Sequence, residues 1–173
     1  MKKLEIERRF LLLLPPSFFG EHLLKPLITE KYSILQIYLK KSFKKAGNRR
    51  IREIYDSKKN SHSYFLTEKQ STKNPVVRVE NEREISKEEF KKLEAEMDRS
   101  RDPIFKRRVC FEWKKQEFEL DFFIAPKRIF GLVILEIELE NPKQKVILPD
   151  FLPIAVEITN SPDLSNSNLA KRP

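Results

Sequence analysis

Glycine is nearly missing. Three of 173 residues are glycine (Gly20, Gly47 and Gly131), and no two are neighbours. Phosphate-cradling P-loops and dinucleotide fingerprints need clustered glycines so that the backbone can approach a phosphate, and both are excluded. Cys110 is the lone cysteine, so no intrachain disulfide forms and nothing demands an oxidising compartment. His22 and His62 are far apart and have no cysteine or second histidine beside them, which leaves neither a zinc-ligand spacing nor a histidine-based triad. No apolar run reaches the roughly 18 residues of a membrane span. The opening Met1-Lys2-Lys3 is followed by Glu5, Glu7, Arg8 and Arg9, and the apolar run after them is too short for a secretory leader. The expectation is a cytoplasmic protein with no membrane partner.

What the chain does have is charge of both signs. It carries 35 Lys and Arg against 26 Asp and Glu, a formal net charge of +9, with 39% hydrophobic residues. That suffices for one domain with a buried core, and no repeat or linker divides residues 1–173. The positive balance favours an anionic partner. The charges are interleaved rather than blocked, which argues against a simple basic arm. Bare nucleic acid is disfavoured, because the carboxylates would repel it.

The interleaving has a period of two, the mark of strands. Residues 4–10 set Glu5, Glu7 and Arg9 on one face and Leu4, Ile6 and Phe10 on the other. Residues 32–41 form a second strand, with Leu35, Ile37 and Leu39 opposite Gln36, Tyr38 and Lys40. A third, 49–55, presents Arg50 and Arg52 together; a fourth, 63–70, presents Thr67 and Lys69. A fifth, 77–85, sets Arg78, Glu80, Glu82 and Glu84 on one face. Ser86-Lys87-Glu88-Glu89 is then a capping box, opening a helix whose Phe90, Leu93 and Met97 have core-facing spacing up to about residue 100. A sixth strand, 103–112, carries Lys106 and Arg108; a seventh, 116–124, carries Glu117, Glu119 and Asp121; an eighth, 132–140, carries Glu136, Glu138 and Glu140. Short helices are expected from Pro15-Pro16-Ser17 to Leu24 and over 161–170, and a turn around Gly47.

Any one such strand could simply keep a wet face. Eight in succession suggest a shared interior. The bases gather on strands three, four and six, and the acids on strands one, five, seven and eight. Closely spaced carboxylates suit a hard divalent cation, which wants oxygen ligands. The fold class expected is α+β, mainly antiparallel β: an eight-stranded closed tunnel barrel with a charged lumen and flanking helices. Its apolar faces would then point outward and need cover from the helices or from a second copy in a homodimer. A lumen with both signs of charge suits a polyphosphate held by cations and bridged to the carboxylates by Mg2+ or Mn2+. The competing picture is a β-sandwich with solvated faces.

In order and combination these motifs resemble the CYTH domain proteins, the triphosphate tunnel metalloenzymes. The likeness runs along nearly the whole chain. It begins at Glu5-Ile6-Glu7-Arg8-Arg9, where arginine occupies the signature lysine position, and continues through Arg50/Arg52, Thr67/Lys69, Arg78 to Glu84, Lys106/Arg108 and Glu119/Asp121. It closes with Gly131-Leu132-Val133 followed by Glu136 and Glu138, and with Asn166 to Ala170. The resemblance implies metal-dependent hydrolysis of a small-molecule triphosphate. It implies Glu5, Glu7, Glu136 and Glu138 as metal ligands. Arg50, Arg52, Lys69, Arg78, Lys106 and Arg108 would bind substrate. Glu82, Glu84, Glu119, Asp121 and Arg9 would serve catalysis, the acids by placing a water. Two further departures from the family pattern are Gln70, where a glycine often follows the strand-four lysine, and Asp163-Leu164, where many bacterial members carry Arg-Tyr. Inorganic tripolyphosphate is the favoured substrate. Class IV adenylyl cyclase, thiamine or nucleoside triphosphatase activity, and a non-catalytic polyphosphate- or RNA-binding module remain alternatives.

Overall fold

A computed structural model describes residues 2–13, 27–40, 48–71 and 77–173, with side chains for 6–13, 27–40, 48–68 and 81–173. The helix expected to end at Leu24 and the turn around Gly47 lie outside the described residues, as do the side chains of Glu5, Lys69, Gln70 and Arg78.

Among the described residues, nine strands form one antiparallel sheet: β1 (Lys2–Leu12), β2 (Ile28–Leu39), β3 (Asn48–Asp56), β4 (Ser61–Ser71), β5 (Val77–Ile85), β6 (Ile104–Trp113), β7 (Gln116–Ala125), β8 (Val133–Glu138) and β9 (Ile154–Glu157). Their spatial order is β5-β4-β3-β2-β6-β7-β8-β1-β9. β1 divides its pairing: Lys2 to Ile6 lie against Asn81 to Val77 of β5, while Glu7 to Leu12 lie against β8 and Phe10 to Leu12 also meet β9. Eight of the strands match the alternation in the sequence. β9 does not follow from it, because a four-residue strand has no period to read, and β9 exists only through its pairing with β1.

The turns follow local chemistry. Trp113 pairs with Gln116, which leaves Lys114 and Lys115 as a two-residue hairpin loop, both with positive φ (48° and 62°). That is the geometry of a primed turn, which matches the right-handed twist of the strands it joins. Between β3 and β4, Asp56 accepts hydrogen bonds from the backbone nitrogens of Lys58 (2.9 Å) and Lys59 (3.1 Å), closing the loop onto its own first residue. Gly131, at φ 87°, makes the bend into β8 that other residues would resist.

The helix after β5, α1 (Lys87–Glu94), is capped by Ser86, whose hydroxyl accepts from the backbone nitrogen of Glu89 at 3.1 Å. It ends at Glu94, not near residue 100: from Ala95 the chain bends so that Lys40 and Asp98 can bond with Glu96 and Tyr38. Tertiary hydrogen bonds win over continued helix here. Ser86→Ala should cost about 1 kcal/mol, the usual worth of such a cap. Chemical denaturation measures it, with the m-value unchanged.

The outward apolar faces are covered by the chain itself. Phe90, Leu93 and Met97 lie over Ile37, Leu39, Ile51, Tyr64 and Leu66. Val146, Leu148, Phe151, Leu152 and Ile154 cover Phe10, Phe111, Phe118, Leu120 and Leu135. On the cavity-facing side instead, Ile158, Leu164, Leu169 and Ala170 of the tail pack on Tyr38, Ile104, Phe123 and Ile134, which share strand faces with Gln36, Lys106, Asp121 and Glu136. The expected helix over 161–170 is broken into a 3-10 turn (Pro162–Leu164) and a single turn, α2 (Asn166–Leu169), as the tail follows the sheet. Among the described residues, no helix is long and apolar enough to cross a membrane.

Candidate active site

The faces of β1, β2, β3, β4, β5, β6, β7 and β8 that carry the alternating charges border one cavity of about 990 Å³, with a few apolar side chains such as Ile54 and Phe65 among its lining. Of the residues singled out from the sequence, Glu7, Arg9, Arg50, Arg52, Glu82, Lys106, Arg108, Glu119, Glu136 and Glu138 line it. Glu84 does not; it sits further along β5, exposed. Asp121 is also absent from the lining because it is fully buried behind the wall.

The acids meet by register. Glu7 of β1 lies opposite Glu138 of β8, and Glu136 of β8 lies between Arg9 of β1 and Glu119 of β7. Like charges directly across a ladder repel, so this side of the cavity is built to hold positive charge. Part of that charge is protein. Arg9 Nε donates to Glu136 Oε1 at 2.8 Å. Arg108 serves three carboxylates: Nε and Nη2 donate to Asp121 at 2.7 Å each, Nη2 reaches Glu136 Oε2 at 2.8 Å, and Nη1 pairs with Glu119. Lys106, buried against the Phe123 ring at 5.6 Å, pairs with Asp121 as well.

The electrostatics divide the facing pair. Burial pushes the Glu119 carboxyl up, and the Asp121 and Glu136 charges add to this against the pull of Arg108. Burial would also raise Glu136, but Lys106, Arg108 and Arg9 outweigh it and hold that carboxyl well below the usual range. Burial and the Arg108 charge lower Lys106 despite its contact with Asp121. Arg108 is raised well above its ordinary value: burial opposes this, and the three carboxylates overcome it.

The opposite wall is basic but shared. Arg52 pairs with Glu82, which also accepts from Thr67 Oγ1 at 2.6 Å. Burial and Arg50 lower Arg52 in spite of Glu82. Its Nε is buried without a hydrogen-bond partner among the described residues, as is Asn166 Oδ1 of the tail. A buried polar atom left so inside a cavity is normally satisfied by water or ligand. Arg50 Nη1 donates to Gln36 Oε1 at 3.1 Å, and Gln36 Nε2 donates to the Tyr38 hydroxyl at 2.9 Å. Sequence reasoning placed Gln36 and Tyr38 on the correct face of β2 but assigned them no part in the site, since they carry no charge.

The tail closes on the cavity. Arg9 Nη2 donates to the Leu164 carbonyl at 2.9 Å, Asn48 Nδ2 to Ser167 Oγ at 3.1 Å, and Arg101 Nη1 to Ser167 O and Oγ at 2.9 and 2.6 Å. Pro162 and Ser165 to Asn168 thereby join the lining. Asp163 is exposed, and Leu164 takes part through its backbone oxygen. Arg9 is therefore a latch between Glu136 and the tail as well as a lining cation.

Among the described residues, no three His, Cys, Asp or Glu side chains form a ready-made metal cage. The donor chemistry is nonetheless that of a hard cation: carboxylate oxygens from two facing pairs, with no soft ligand among them. Mg2+ characteristically takes one or two carboxylates and completes its shell with water and substrate phosphates, and the cross-strand Glu7/Glu138 pair fits that demand.

An antiparallel sheet thus turns interleaved acids and bases toward a single cavity, which defines the class as a β protein with a charged interior. The likeness carried by the strand motifs has a counterpart in three dimensions, in solved structures of similar fold. No family model matches the sequence, and no curated protein matches it. Solved structures do. The chain is similar to the hypothetical protein NE1496, at 26% identity and TM-score 0.59 over 96% of this chain and 97% of that one. It is similar to a structure of the inorganic triphosphatase NE1496, at 24% identity and TM-score 0.56 over 96% and 93%. It is also similar in fold to HpAC1 from Hippeastrum, assigned as an adenylyl cyclase and described as having a dominant triphosphatase activity, at 17% identity and TM-score 0.57 over 82% and 81%.

Proposed function

We propose that this chain hydrolyses the phosphoanhydride bond of a triphosphate in a tunnel closed by the β1–β5 pairing, with Mg2+ or Mn2+ as cofactor. One observation carries the proposal: five cations and six carboxylates from six strands, with Lys59 of a loop, converge on one cavity, with the bases of β3 and β6 and the acids of β7 and β8 on its walls. A solvated face has no reason to gather both signs into an enclosed space. An anion with its own metal does.

The residues divide by role. Arg50, Arg52 and Lys106, with the cations of Lys69 and Arg78 from the same motifs, would hold the phosphate oxygens. Glu7, Glu136 and Glu138, with Glu5 from the signature, would hold the metal. Once bound, such a cation screens phosphate charge and eases deprotonation of an attacking water. Glu119 and Glu82 flank the cavity as hydrogen-bond acceptors for that water, and the raised Glu119 carboxyl suits proton acceptance. In-line attack at the terminal phosphorus then releases phosphate, its developing charge met by the preorganised cations. Asp121 is reassigned: fully buried and bonded to Lys106 and Arg108, it orients these cations rather than placing a water. Glu84, exposed and off the cavity, has no assigned step.

Phosphate release from tripolyphosphate, measured with Mg2+, with Mn2+ and with EDTA, tests the proposal. Release with either metal that stops in EDTA is the expected result. Binding of tripolyphosphate with no turnover in any metal would reject hydrolysis.

A further inference from the structure

The cavity has two unlike ends. Along β3, Asn48, Arg50, Arg52, Ile54 and Asp56 all line it, a span of about 26 Å at the usual rise of a strand. At the first end, Asn48 is bonded to Ser167 of the tail. At the other, the β3–β4 turn brings in a sixth cation, Lys59, whose side chain is 69% exposed. The turn is built to hold it there. Asp56 Oδ1 accepts from the backbone nitrogens of Lys58 and Lys59, and the Tyr55 hydroxyl donates to Asn60 Oδ1 at 2.9 Å, with Asn60 itself at φ 50°. The backbone is fixed while the ammonium is not. Lys59 Nζ stands 3.4 Å from Asp56 Oδ2, and an exposed pair of this kind is worth about 0–1 kcal/mol.

The five cations deeper in the cavity are placed differently. Arg9, Arg52, Lys106 and Arg108 have side chains at most 16% exposed and already face carboxylates, and Arg50 is buried against Gln36. With Lys59 and Asp56 included, the described lining holds six cations and six carboxylates, so the side chains exert little net pull on an arriving anion. A hydrated polyanion also has to shed water before it can reach a cation that is buried and paired. Between Arg52 and Asp56, about 13 Å of strand, the paired Ile54 and Ser63 offer a phosphate no charge. Among the described residues, Lys59 is the lining cation that solvent reaches most freely. We infer that Lys59 is the capture cation of this site. Polyphosphate enters at the β3–β4 turn, Lys59 exchanges Asp56 for its trailing phosphate, and the leading phosphates pass on to Arg52 and Arg50. Lys59 is then a binding residue with no part in bond cleavage. The inference rests on the proposal that the cavity holds triphosphate, and it adds the end at which the anion enters and the side chain that receives it.

The experiment measures tripolyphosphate hydrolysis in Mg2+ by the full chain at ionic strengths of about 0.1 M and about 1 M, where charges are screened over about 10 Å and about 3 Å. At the lower strength Lys59→Glu should raise KM about tenfold and change kcat less than about twofold, the mark of an interaction made equally in ground and transition states. At the higher strength the rise should shrink to about twofold. Lys59→Arg should behave as the wild type. Lys58→Glu makes the same change in net charge one residue away, outside the lining, and should leave KM within about twofold of wild type. A wild-type KM in Lys59→Glu overturns the inference, as does an equal rise in Lys58→Glu or a fall in kcat at unchanged KM; all three leave hydrolysis standing. If the wild type releases no phosphate, calorimetric binding of tripolyphosphate decides. Binding about tenfold weaker in Lys59→Glu then supports the capture role while hydrolysis is rejected, and unchanged binding overturns both.

Discussion

Glu136→Gln is expected to lower kcat on tripolyphosphate about a thousandfold, roughly 4 kcal/mol of transition-state stabilisation. The substitution keeps the shape of the side chain and removes its charge. Glu136 accepts from Arg9 on one oxygen and from Arg108 on the other, and lies across from Glu119. An amide can satisfy one of those arginines with its oxygen, but it turns an NH2 toward the second. Two donors then face each other in a buried place, which costs about 1–3 kcal/mol. The cavity also loses a negative charge that three basic side chains now balance. Loss of activity should therefore come with a modest fall in Tm and an intact fold, read by circular dichroism. Turnover within a few-fold of wild type would remove Glu136 from the catalytic machinery.

Asp121→Ala is expected to be the most destabilising single change among the site residues. Asp121 is fully buried and bonded to two buried cations, Lys106 and Arg108. Breaking a buried pair by removing one partner leaves uncompensated charge inside, and such changes cost about 3–5 kcal/mol. For a domain of this size each kcal/mol is worth roughly 2–4 °C, so a fall in Tm of about 6–20 °C is expected in a thermal melt. The double variant Asp121→Ala/Lys106→Met should recover part of the loss, because one stranded cation is then gone. If Asp121→Ala melts with the wild type, Asp121 does not hold the cations as described. An additive double variant would show that the pair is not coupled.

Much of this was legible beforehand. Residues 77–85 were bounded correctly because Arg78, Glu80, Glu82 and Glu84 alternate without a break and Ser86 announces the helix. The direction of each charged face was legible for the same reason: a period of two leaves no other assignment. Three things were not. The uncharged face of β2, Tyr32 to Tyr38, carries no chemical motif, so its place in the cavity emerged only when β2 was seen between β3 and β6. Asp121 reads in sequence like Glu119, two residues earlier, yet one is buried and bonded to two cations while the other lines the cavity. The tail is helical by pattern, but Pro162 and the hydrogen bonds from Arg9, Asn48 and Arg101 divide it.

By itself the sequence determined eight of the nine described strands and which side each of them presents, since both follow from neighbours two apart along the backbone. Only the tertiary structure decided which charge meets which, because pairing depends on register between strands distant in sequence. Glu136 is held by Arg9 from more than a hundred residues upstream. No local pattern carries that information; long-range hydrogen bonding and packing supply it.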